Sequence, residues 1–118
     1  MSPKSVKIPD VQIPRIIRLK YEPFLDYFKG FEDVAAVRAI FGSRTKEALR
    51  KLKVEFFSSR WGFMGVSDAD GHLLVSTHYL RTGNRQDIYL DVVHELVHVR
   101  QFREGKEQIG RASCRERV

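Results

Sequence analysis

His94, Glu95 and His98 fall at HExxH spacing inside the apolar run Asp91-Val92-Val93-His94-Glu95-Leu96-Val97-His98-Val99. On a helix turning about 100° per residue, the two histidines stand about 40° apart and one turn along the axis, so both can direct a ring nitrogen at one ion about 2.0–2.1 Å away. Glu95 lies beside them, where it can hold a metal-bound water and take its proton. The chemistry of such a set is hydrolysis by a zinc-activated water. The opposed reading is three residues fallen at this spacing on a solvent-facing helix. Against it, Ile88, Leu90, Val92, Val93, Leu96, Val97, Val99 and Phe102 point in nearly all directions around that helix, which predicts burial on most sides. A carboxylate in such surroundings needs a partner, and a metal with its water is one.

Catalytic zinc takes three protein ligands and a water, so a third donor should follow His98. Glu104 stands where the extended metzincin pattern HExxHxxGxxH has its last ligand, but Gln101 occupies the place of the turn-making Gly. On an unbroken helix Glu104 lies about 240° around from His98, and Glu107 lies about 13 Å further along. Neither reaches the ion unless the helix breaks at Gly105, and Gly105 is a natural helix end. The closing residues Ile109 to Val118 read IGRASCRERV, which is residue for residue the translation of a common short-read sequencing adapter. The adapter's preceding bases also complete a codon for Gln108. Residues 108–118 are therefore read as a tail foreign to the gene and set aside from fold reasoning. The expectation is a fragment that stops before its third ligand, with weak zinc affinity and no robust activity of its own.

Composition narrows the classes. Of the formal charge of +6, the tail with Arg111, Arg115, Glu116 and Arg117 carries a net +2, leaving +4 spread along the chain. No basic cluster with interleaved aromatics stands out, so nucleic acid is not an expected partner. The single cysteine, Cys114, lies in the tail, which excludes disulfide scaffolds and thiolate-ligated zinc for the rest. The N-terminus has no apolar stretch long enough for a signal peptide or membrane span, and a cytoplasmic location is expected.

The elements that must position the motif can be read from periodicity. Residues 1–15 hold Pro3, Pro9 and Pro14 and read as an extended lead-in, with a short edge strand at Val6 to Ile8. The domain proper spans 16–107. Tyr21, Phe24, Leu25, Phe28 and Phe31 recur at helical spacing, predicting one or two helices between Ile16 and Phe41, interrupted near Gly30, with the aromatic stripe in the core. Ser43 or Thr45 caps a further helix to about Leu52. Strands are predicted at Val54–Phe57, Phe63–Val66 and Leu73–Thr77, the last two joined by a turn at Asp68-Ala69-Asp70-Gly71 whose Gly can take a positive φ. A polar loop, Arg81-Thr82-Gly83-Asn84, then leads into a motif helix from about Arg85 to Glu104. The fold class is α+β: N-terminal helices, a small antiparallel sheet with a hairpin, and a buried HExxH helix.

This order of helix, small sheet, loop and HELVH helix resembles the N-terminal half of a zincin metallopeptidase, the likeness resting on Gly71 to Val99. It looks most like the compact gluzincin-type domains, including the ImmA/IrrE-like group. The resemblance implies a peptide or protein substrate, a zinc cofactor and a third ligand, often Glu, on a downstream helix. It also implies that the strand before the motif helix forms the upper rim of the cleft and pairs with an extended substrate, a role that would fall on the backbone of Leu74, Val75 and Ser76.

Three further residues have possible auxiliary roles. His78 and Tyr79 sit at the predicted end of the rim strand, where such groups can stabilise a developing oxyanion; an ordinary strand end is the plainer reading. Asp91, one turn before Glu95, can orient a ligand, or simply answer the helix dipole. His72, after the turn glycine, is expected to be exposed. The rivals to a zinc peptidase are a non-catalytic zincin scaffold for regulation or partner binding, and a DNA-associated regulator. Oligomeric state is left open by the sequence.

Overall fold

The computed structural model describes residues 8–17 and 19–107. The expected strand at Val6 to Ile8 falls largely outside these residues, as does the tail 108–118. From Ile8 to Pro14 the chain has no regular secondary structure, in keeping with an extended lead-in.

The aromatic stripe does become core, but through shorter helices than its spacing suggests. A two-residue strand β1 (Glu22–Pro23) leads into α1 (Phe24–Tyr27), a 3-10 turn at Phe31–Asp33 and α2 (Ala35–Phe41). None of the described residues before Glu22 is helical. The interruption expected at Gly30 is real: its φ of 98° is left-handed backbone that favours glycine. Phe24, Phe28 and Phe31 are fully buried, with Phe24 stacked on Phe28 at 4.6 Å between ring centroids and Phe31 edge-on to both. Such aromatic pairs add to the burial term. Helix α3 (Thr45–Lys51) follows; the Thr45 hydroxyl donates to the Gly42 carbonyl at 2.6 Å.

The strands are β2 (Lys53–Phe57), β3 (Met64–Val66) and β4 (Leu73–Ser76), and their order in the sheet is β1-β2-β4-β3. The α+β class holds, but the expected antiparallel sheet is mixed: β4 pairs parallel with β2 and antiparallel with β3. A parallel pair needs a long crossover, and residues 58–72, with β3 among them, supply it. The turn into β4 is as predicted. Gly71 has φ 74°, its N–H donates to the Ser67 carbonyl at 2.8 Å, and the Phe102 ring lies where a side chain at this position would go. Alternation puts Val54, Phe56, Leu73 and Val75 in the core and Glu55 and Leu74 on the other face.

What was expected as a polar loop is partly helix. α4 (Thr77–Thr82) starts directly after β4, capped by Ser76, whose Oγ accepts the Tyr79 N–H at 3.3 Å. The motif helix α5 spans Arg85–Glu107, so Gly105 lies within it rather than ending it. Ile88, Val92, Leu96 and Val99 are buried against the core, and Phe31 stacks on Tyr89 at 6.1 Å. The expected burial on most sides is not found. Leu90 is 52% exposed and Val97 37%, because the sheet and α2 cover only one flank each. No helix among the described residues is long and apolar enough to cross a membrane.

Candidate metal centre

His94 and His98 emerge on the uncovered face of α5. Their Nε2 atoms are 3.2 Å apart, with the rings nearly perpendicular. Two donors of one tetrahedral zinc at about 2.0–2.1 Å stand about 3.3 Å apart, so the pair already has the required bite. His98 is oriented from behind: its Nδ1 lies 3.1 Å from the Gln101 Oε1. An acceptor there keeps the proton on Nδ1 and leaves the Nε2 lone pair for a metal. In the sequence Gln101 stands out only as the residue in place of a turn Gly, and its i,i+3 spacing from His98 is the signal for this contact.

Glu95, the helix neighbour of His94, is half-buried. Burial pushes its carboxyl above the usual range, the two histidines His98 and His94 pull it back, and the Asp91 charge adds a further upward push. A carboxylate moved towards neutrality is suited to exchanging protons with water. Asp91 in turn accepts a short hydrogen bond from the Tyr79 hydroxyl. Desolvation first, and the Asp91 carboxylate second, hold the Tyr79 phenol protonated far above its ordinary range. Tyr79 and Asp91 are therefore brought together with Glu95, and α4 is what places Tyr79 there. His78 is not: it sits on α4 rather than at a strand end, and its side chain makes no hydrogen bond or ring contact with any described residue.

The rim assignment needs correcting. β4 is an inner strand, so the backbone of Leu74, Val75 and Ser76 is occupied on both sides. Ser76 N–H donates to the Phe63 carbonyl at 2.9 Å, and its hydroxyl donates to the Ser59 carbonyl at 2.8 Å. The sheet edge beside α5 is β3, which among the described residues pairs on one side only. Leading into it, Trp61 is 85% exposed and Phe63 60%, and Phe63 packs edge-on against Tyr79 at 5.1 Å. Strand order, which the sequence does not carry, hid this edge.

The third donor is not supplied by the described residues, among which no group of three or more His, Cys, Asp or Glu is placed to hold a metal. Glu104 is held by Arg100 Nε at 2.9 Å, and Arg100 Nη1 donates to the Ile40 carbonyl of α2, which draws both away from the histidines. His72, expected to be exposed, is buried at 7% exposure, with Nε2 3.0 Å from Glu55 Oε1 and Tyr21 edge-on to its ring. Its position next to a turn suggested solvent; pairing with Glu55 across the sheet encloses it. Compared with protein-family models, curated proteins and solved structures, the chain finds no match in any of the three.

Proposed function

We propose that α5 carries the metal-binding part of a zinc peptidase site of the zincin type. The observation that supports this is the pair of Nε2 atoms 3.2 Å apart on an open helix face, with Glu95 half-buried beside them. His94 and His98 would hold the ion, and a third donor comes from outside the described residues. Zinc, when bound, supplies Lewis-acid polarisation of a peptide carbonyl and a more acidic water. Glu95 accepts a proton from the attacking water and delivers it to the leaving amine nitrogen. Tyr79 fixes Asp91, whose charge keeps Glu95 basic enough for the first of these transfers. The unpaired edge of β3 offers its N–H and C=O groups to an extended peptide, the role expected of β4.

Zinc binding is measured by competition with a chromophoric chelator, and hydrolysis with a peptide library. A weak site is expected, lost in His94→Ala and His98→Ala and kept in Glu95→Gln. The last variant should lower hydrolysis by about 10²–10⁴-fold. Hydrolysis at the wild-type rate by Glu95→Gln rejects the mechanism. Stoichiometric zinc retained by the 118-residue chain through dialysis rejects the need for a further donor.

A further inference from the structure

A cavity of about 430 Å³ opens where the β3–β4 turn, the start of β2 and the last turns of α5 meet. That is the small end of the range of about 300–1,000 Å³ used for small ligands. Its polar groups are sorted by sign. On one side His72, buried, directs Nε2 to the Glu55 carboxylate at 3.0 Å, an arrangement that favours the Nε2–H tautomer, in which Nδ1 is an acceptor. That Nδ1 is buried and has no hydrogen-bond partner among the described residues. Asp70 Oδ2, also an acceptor, lies 3.7 Å from it. In that tautomer Nδ1 and the Asp70 carboxylate are two adjacent acceptors, and together they call for a cationic donor. Asp70 is on an exposed turn and its side chain is 63% accessible, so it can swing to admit one.

Lys53 and Arg103 line the same cavity, and neither forms an ion pair among the described residues. They call for an anion. Leu52 and Phe102 contribute apolar wall. A ligand that meets all three demands carries an ammonium, a carboxylate and an apolar body within one small molecule. We infer that this cavity is a binding site for a free apolar or aromatic α-amino acid, its ammonium between His72 and Asp70 and its carboxylate towards Lys53 and Arg103. The site does not use His94, Glu95 or His98, so it stands apart from the peptidase reading.

The test is an NMR titration of the whole chain, carrying labelled histidine, with L-phenylalanine, 3-phenylpropionate and phenethylamine. L-Phenylalanine should give a saturable shift of the His72 ring signals, and each half-ligand should bind at least about ten-fold more weakly, since each leaves one charged set unanswered. Arg103→Glu and Asp70→Asn, both at accessible positions and checked for an unchanged spectral fingerprint, should each weaken L-phenylalanine about ten-fold or more. Equal binding of a half-ligand, unchanged binding in both variants, or no saturable shift with any of the three compounds overturns the assignment.

Discussion

His94 and His98 on the motif helix and His72 just before β4 show what surroundings make of one residue type. The first two stand on an open helix face, with their Nε2 atoms turned towards each other and Gln101 behind His98. The third is enclosed by sheet and turn, and its Nε2 is used by Glu55. Open imidazoles with converging ring nitrogens are available to an ion at little structural cost. An enclosed imidazole is part of what holds β2 to β4.

The contrast can be broken by substitution, and the largest effect expected is on metal. His94→Ala or His98→Ala should abolish zinc binding in the chelator assay while the melting temperature barely moves; His72→Ala should do the reverse. On stability, the two faces of α5 should separate sharply. Leu96→Ala empties a fully buried position and should cost about 2–5 kcal/mol in urea unfolding. Leu90→Ala, on the open face, should stay within about 0.5 kcal/mol. His72→Ala is next, at about 1–3 kcal/mol, because the partly buried Glu55 carboxylate loses its donor. Gly71→Ala should cost about 1–3 kcal/mol, since it strains a φ of 74° and drives a methyl into the Phe102 ring. The mildest is Gln101→Ala, which should leave stability alone and loosen zinc by about ten-fold through the lost support of His98. A Gln101→Ala protein with unaltered zinc affinity would show that the histidine pair needs no orienting partner.

Much of this was legible because it is local. HExxH spacing on an apolar helix, the φ-positive Gly71 turn and the alternation in Val54–Phe57 each depend on neighbours a few residues away. The packing of Phe24, Phe28 and Phe31 followed from their spacing even though the helix under them is short. What failed was non-local. β4 inserts between β2 and β3, a choice of partner that no residue in Leu73–Ser76 announces, and it leaves β3, not Leu74, Val75 and Ser76, at the sheet edge. Leu90 and Val97 looked like core because apolar residues ring α5, yet burial depends on what lies opposite, and the described elements cover only part of the helix. His72 was misplaced for the same reason: its enclosure depends on Glu55, 17 residues away.

The loop before β3 carries a practical consequence. Trp61 is the single tryptophan of the chain, and its indole already stands in water in the native state. Its emission should therefore be red-shifted in the folded protein and change little when denaturant unfolds it. Intrinsic fluorescence, ordinarily a folding assay, becomes here a reporter of whatever settles along the sheet margin next to the histidines, with a blue shift as the sign of a dry contact.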